Sequence, residues 1–487
     1  MTTATVVGSG PNGLAAAVVL AREGVDVTVL EGAPEIGGGT RTVEAIAPGL
    51  LHDHCSAVHP MAVGSPLLRE LGLDRYGLRW RLPEIDCVHP LDDGTAGVLY
   101  RSVTETAAGL GPDERRWRSL FEAPVRGYDA LSEDILGPLL RPPAHPLRLA
   151  RFGAPTLLPA LALARAFRTP QARALWLGVA AHAFRPLNEP LSSAIGLGIL
   201  TAGHQHGWAV AEGGSRAITG ALAALLRDLG GKIETGVWVR SAPQVPPSDA
   251  VLWDVAPTAL AEAPGDLLPP RVRRAYERFR YGPAAHKVDF AVEGGVPWRA
   301  ESARRAGTVH LGGAPAEIAA AERAVHTGRL PERPFVLVGQ QYLADPSRSA
   351  GDVHPVWSYA HVPHGYEGDA TEAVIAQIER FAPGFRERIV GTVSRPPAAF
   401  AAGNPNFVGG NILTGAKDIR QMLLGPGPTP HPYDTGVPGH FICSAATPPG
   451  PGAHGMCGAH AAARALKHLG GRNRKVQVTG SIKDFYR

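Results

Sequence analysis

Three glycines near the start of the chain have the spacing needed to hold a diphosphate. They lie in the run Gly8-Ser9-Gly10-Pro11-Asn12-Gly13. The first permits a tight turn, the second lets backbone approach the phosphates, and the third allows a helix to pack against a strand. A helix beginning here also directs unpaired N–H groups and a positive dipole end at the anion. Glu31 follows at the distance where a carboxylate can accept both hydroxyls of a ribose. Together these residues predict a dinucleotide site.

A second glycine loop, Gly37-Gly38-Gly39-Thr40-Arg41-Thr42, comes shortly after Glu31. It can wrap the far side of a pyrophosphate, with Arg41 as a charge-assisted partner. A third run, Gly450-Pro451-Gly452-Ala453-His454-Gly455, repeats the first spacing. The strand after its helix would have to be residues 475–478, and that ends in Thr479 rather than an acid. The run therefore fails as a second nucleotide site. His52, His54 and His59 flank Cys55 and Ser56. A structural or hydrogen-bonding role is favoured for each over acid–base work. Their spacing brings no carboxylate to metal-ligand distance, so no metal site is expected.

These residues need a frame. Residues 5–7 and 25–30 have the apolar runs of buried strands, with a helix over 14–22 between them, which is a β-α-β unit. Residues 69–207 are irregular and mostly helical, punctuated by prolines. A glycine turn and helix occupy 213–229, with strands at 232–239 and 250–253. Further strands are predicted at 287–292, 335–338 and 440–443, and helices at 371–381 and 459–469. The result is an α/β chain. Its hydrophobic fraction of 44% supports a sizeable core, and a net charge of +4 is too small to argue for nucleic acid. Cys55, Cys87, Cys443 and Cys457 show no zinc or C-x-x-C spacing and are expected to be reduced thiols. Neither a secretory leader nor a long apolar span is evident, which predicts a cytoplasmic protein.

The loop at 37–42 is where the sequence resembles the flavin amine oxidase and phytoene desaturase superfamily, whose members follow the ribose-binding acid with GG-x-x-R-T. Within it the chain looks most similar to phytoene-dehydrogenase-like oxidoreductases, of the pyridine nucleotide-disulfide oxidoreductase domain-containing type. The matching stretches are HDHCSAVHP at 52–60, EGGSRAITGAL at 212–222, KVDFAVEGGVPW at 287–298, YAHVPHG at 359–365, IERFAPGF at 378–385, NPNFVGGN at 404–411 and PGHFICSAATPPGPGAHGMCG at 438–458.

The resemblance implies non-covalent FAD in a discontinuous Rossmann-like, glutathione-reductase-like domain with an inserted α+β substrate domain. The FAD pieces would be 1–70, 208–265 and 430–470. The substrate pieces would be 71–207, which includes a lid, and 266–429, with 471–487 as a tail. FAD would contact Gly8, Gly10, Pro11, Asn12, Gly13, Glu31, Gly38, Gly39, Thr40 and Arg41. Val239 would meet the adenine through its backbone, and Gly452, His454, Gly455 and Met456 would lie along the flavin ring.

Tyr359, His361 and Asn411 are the polar candidates for orienting substrate; relatives commonly carry Asp where Asn411 stands. Residues 147–167 place Arg148, Arg151 and Arg165 among leucines and alanines. They would form a lid over the cavity that is also suited to rest on an anionic membrane surface. The implied activity is a dehydrogenase or desaturase acting on a hydrophobic substrate such as a polyene or isoprenoid. Alternatives are a redox-neutral double-bond isomerase, an amine oxidase, and a non-catalytic lipid- or prenyl-binding escort. No feature of the sequence sets the oligomeric state.

Overall fold

The structure, a computed structural model, describes residues 1–263 and 266–472. The strand considered at 475–478 and nearly all of the expected 471–487 tail lie outside the described residues. One sheet comprises β1 (Thr3–Val7), β2 (Asp26–Glu31), β3 (Lys232–Thr235), β4 (Ala250–Trp253) and β5 (His440–Ile442). Its order is β5-β4-β1-β2-β3, and all pairs are parallel. Parallel strands are covered on both faces. That accounts for the unbroken apolar run of β4 and the burial of β1 from Ala4 to Val7, whereas β3 is an edge strand that exposes Lys232 and Glu234. Strand order reverses at β1, so the loop after β1 opens into the crevice where such sheets take ligands.

Three helices cover this sheet. α1 (Pro11–Arg22) packs its alanines between α2 (Arg216–Asp228) and α3 (Met456–Arg472). Glycine sets the closeness of these crossings. A Cβ at Gly13 would collide with the Gly8 carbonyl, and one at Gly458 would collide with the Asn12 carbonyl. The helices predicted at 14–22, 213–229 and 459–469 therefore exist with shifted ends.

A second sheet has seven strands in the order Ile389–Arg395, Ala284–Glu293, Val353–Val362, Val336–Gly339, Ala306–Leu311, Ile85–Pro90 and Ala96–Leu99. All pairs are antiparallel except Ala306–Leu311 with Ile85–Pro90. Side chains alternate across it with period two. Val288, Phe290, Val309, Val338 and Val356 point to one face and form a core with the helix Thr371–Phe381. The other row carries Cys87, Thr308, His310, Leu337, Trp357 and Tyr359, and this mixed polar and aromatic face looks toward the nucleotide half.

The region expected to be irregular and helical also contains the hairpin Ile85–Pro90 with Ala96–Leu99. The strand Ile85–Pro90 is buried on both sides, so no apolar–polar alternation marks it. The 147–167 segment forms two helices, Pro146–Thr156 and Ala160–Ala164, interrupted before Pro159.

A buried ion network joins the two halves. Arg348 Nη1 donates to Asp53 Oδ2 at 2.6 Å, its Nε donates to Asp345 Oδ2 at 3.1 Å, and its Nη2 donates to the Ala211 carbonyl at 2.7 Å. Asp53 Oδ1 accepts from Thr42 Oγ1 and from the Ser215 N–H, both at 2.7 Å. Burial alone would raise the Asp53 carboxyl. Arg348 and these two donors outweigh that and hold it below its usual value. Replacing Arg348 with Met should leave Asp53 charged and unpaired at a cost of about 3–5 kcal/mol. A fall in the urea midpoint measures it, and adding Asp53→Asn should recover part of the loss. A single variant as stable as the parent contradicts this role for the pair.

Candidate functional site

A cavity of about 1280 Å3 runs from the β1–α1 loop to the polar face of the second sheet. That exceeds the roughly 300–1,000 Å3 usual for one small ligand. Gly8, Gly10, Pro11, Asn12, Glu31, Gly38, Gly39, Thr40, Arg41 and Val239 line one end. Residues 444–454 and 404–407 line the middle. Beyond them lie His182, Trp208, Thr308, Leu337, Trp357 and Tyr359, roofed by Leu149, Phe152 and Thr156 of the 147–167 segment.

The glycine end is shaped for an anion. α1 begins at Gly10 with Pro11 in its first turn and with no side-chain cap, which leaves N–H groups without a helical acceptor. The two glycine loops meet where the Gly37 N–H donates to the Ser9 carbonyl at 3.1 Å. A Cβ on Gly38 would lie 3.4 Å from Gly10 Cα. Glu31 accepts from the Ser9 N–H at 2.9 Å, the Ser9 hydroxyl at 2.5 Å and the Ala33 N–H at 2.9 Å. A carboxylate has about four lone-pair sites, and of these three donors only the Ser9 hydroxyl can rotate away from it. Thr40 turns its hydroxyl inward to the Gly37 carbonyl. Arg41 is held by the Glu35 and Gly403 carbonyls, with Glu31 at 3.6 Å.

Several expected residues stand elsewhere. Asn411 does not line the cavity. Its Nδ2 donates to the Pro283 carbonyl at 2.7 Å and its Oδ1 accepts from the Gly415 N–H at 2.8 Å, so both ends of the amide brace a loop. His361 is fully buried beneath Phe184, with ring centroids 3.8 Å apart, and its Nδ1 meets Glu322 Oε1 at 2.7 Å. It too is outside the lining, whereas Tyr359 is within it. Gly452 and His454 reach the cavity. Gly455 packs on Ala15, and Met456 donates its N–H to His454 Nδ1.

The motif histidines are engaged locally. His52 Nε2 meets the Phe290 carbonyl, His59 Nε2 meets Ser215 Oγ, and His54 lies edge-on to Phe400. Among the described residues no group of three or more His, Cys, Asp and Glu side chains is placed to hold a metal ion.

Three residues escaped the sequence reading. Asp254, at the end of β4, lies under the first glycine loop, and its Oδ2 accepts from the Gly13 N–H at 2.9 Å. A Cβ on Gly10 would sit 2.7 Å from the same oxygen. An acid closing the strand beside β1 was the available signal. Lys417 lines the cavity next to Gly450 and donates to the Leu413 carbonyl at 3.0 Å; burial lowers it to about 8. His182 is the third.

Residues 6–71 match the model of the NAD(P)-binding Rossmann-like domain family. Over 96% of this chain and 94% of the relative, the sequence is 24% identical to pyridine nucleotide-disulfide oxidoreductase domain-containing protein 2 of Mus musculus. It is 30% identical to hydroxyneurosporene desaturase of Cereibacter sphaeroides over 47% of this chain and 48% of that one. Among solved structures, a triple mutant of putrescine oxidase superposes with a TM-score of 0.62 at 18% identity, covering 97% of this chain and 100% of the other.

Burial raises the Asp254 carboxyl to about 7; the Gly13 N–H opposes the shift and Glu31 adds to it. The folded protein therefore holds a proton that the unfolded chain releases near pH 4. The stability this contributes is full below about pH 4 and is lost as pH rises toward 7. In ligand-free protein, Asp254→Asn should flatten the decline of the urea midpoint across that window. An unaltered slope contradicts the protonated state.

Proposed function

We propose that the chain, which shares its fold with putrescine oxidase and is similar in sequence to a desaturase, is an FAD-dependent oxidoreductase that removes hydride from a C–H bond of a hydrophobic substrate, as a dehydrogenase or desaturase. The observation that carries this reading is the single cavity that joins a dinucleotide cradle to a chamber walled by apolar and aromatic side chains.

The residues present suit FAD. Glu31 would take ribose hydroxyls, and the start of α1, where Asp254 engages the Gly13 N–H from below, would take the pyrophosphate with the Gly38–Arg41 turn. Val239, which lines the same end of the cavity, would meet the adenine through its backbone, and residues 450–454 would border the ring. When bound, FAD supplies the hydride acceptor. The chain's own part is to hold the substrate and exclude water. Phe152 and Thr156 close the roof, and Tyr359 and Trp357 form a floor with ring centroids 5.1 Å apart at 87°.

That aromatic pair would also suit amine oxidation, since such rings attract cations. Here the Lys287 ammonium already lies 5.8 Å from the Trp357 ring centroid. That ring already has a cation against it, so less of it is available to a substrate ammonium, which favours a neutral substrate. Exposed Leu147 and Leu157 beside Arg148 and Arg151 support access from a lipid surface. Among the described residues no helix is long and apolar enough to cross a membrane.

Anaerobic photometry of the flavin tests the reading. A polyene or isoprenoid should bleach its band, and a long-chain primary amine or NADPH should not. Bleaching by the amine alone would replace this function with amine oxidation. Glu31→Ala loses charge-assisted hydrogen bonds worth about 1.5–3 kcal/mol each. Its FAD dissociation constant should rise at least about tenfold, and an unchanged constant removes Glu31 from the site.

A further inference from the structure

The middle of the cavity holds a cation that the function above leaves unused. Lys417 stands in the loop before the short helix Ile419–Leu424, and its Nζ donates to the Leu413 carbonyl at 3.0 Å. An ammonium has three N–H donors. Among the described residues that carbonyl is its one acceptor, and no carboxylate forms an ion pair with it. The adjacent acid, Asp418, is paired with Arg280 at 2.8 Å. Cys457 supplies no counter-charge, because burial raises its thiol to about 12. Arg185, whose Nη1 donates to the Lys417 carbonyl at 2.7 Å, adds positive charge on this side, although it is paired with Glu189.

A charge taken from water without a partner is costly. Burial does lower this ammonium, to about 8, against the pull of Cys457 and Asp418, so at neutral pH it keeps its proton. Its surroundings point to a ligand. Lys417 retains accessible surface and lines the cavity, where a Cβ on Gly450 would lie 3.7 Å from Nζ. The same stretch of wall includes Gly450, Gly452 and Ala453, whose N–H groups have no acceptor among the described residues. Backbone N–H groups are obligatory donors. The wall is therefore electropositive, and an electron-rich ligand would satisfy it.

We propose that Lys417 lies against the flavin ring and balances the negative charge that reduction places on it. This rests on the FAD reading, in which residues 450–454 border the ring. A hydride carries a proton and both electrons of the broken C–H bond, so a ring that accepts it gains one negative charge. The oxidised substrate closes its double bond by losing the neighbouring proton to water. An ammonium beside the ring favours the charged, reduced form over the neutral, oxidised one. The flavin becomes a stronger oxidant, as a C–H bond with no adjacent heteroatom requires. Lys287 is unavailable for this work, since Asp289 already holds it.

The two-electron potential of the flavin in the purified holoenzyme, measured at equilibrium with a reference dye, tests this. Lys417→Gln removes the charge but keeps an N–H for the Leu413 carbonyl. It should shift the equilibrium toward oxidised flavin by about tenfold or more, which is about 30 mV for two electrons. Lys417→Met, which loses the hydrogen bond too, should shift it as far and serves if the Gln variant folds poorly. Lys417→Arg keeps the charge and should stay near the parent value. A neutral variant with an unshifted potential, or equal shifts in the neutral and Arg variants, overturns the proposal. Yellow protein with that result leaves the FAD reading standing, whereas a parent that takes up no FAD overturns both.

Discussion

The buried pairing of Arg348 with Asp53 is the contact on which the geometry of the cavity depends. Asp53 belongs to the short strand His52–Asp53, which pairs with Thr42–Val43 at the end of the second glycine loop, and Arg348 sits between two strands of the other sheet. Desolvating both charges is expensive, and the cost is offset only when their remaining donors and acceptors are satisfied. Here Thr42, Ser215, Ala211 and Asp345 complete the set. Gly214 is confined by the same junction. Its φ of +103° suits glycine, and a Cβ there would collide with Thr42. Displacing any member would move the nucleotide cradle relative to the sheet that floors the chamber.

With the halves locked, the alternation of the seven-stranded sheet assigns roles to its residues. One face is an aliphatic core and can only be structural. The other holds the groups able to meet a ligand, but unequally. Lys287 is paired with Asp289, which also accepts from Arg395, so this charge cluster satisfies itself behind Trp357. His361 is paired with Glu322 and roofed by Phe184, a non-glycine residue at a φ of +50°. A side chain held in that unfavourable conformation marks a place where packing dictates the backbone. Tyr359, Thr308 and His182 are left to face the chamber.

The β-α-β unit with its glycine turn and closing acid was legible because its parts are close in sequence. Gly8 to Glu31 form one β-α-β unit whose turn, helix and acid each leave a local trace. The α/β class and the helix Thr371–Phe381 were legible for the same reason. Asn411 and His361 misled because a polar residue in a glycine-broken stretch looks the same whether it faces a ligand or braces a loop. Asp254 was missed because its partner Gly13 is 241 residues away, and only the strand order brings them together. The hairpin at Ile85–Pro90 gave no period-two pattern because both its faces are buried, although Asp92-Asp93-Gly94 is a recognisable turn sequence.

The glycine loops, Glu31 and the chamber are proposed to form one site for a flavin dinucleotide and its substrate. The decisive experiment is mass analysis of the ligand released by acid from the purified protein. One FAD per chain should be released freely into the supernatant. Recovery of NADP, of no dinucleotide, or of flavin that stays with the precipitated chain would contradict it.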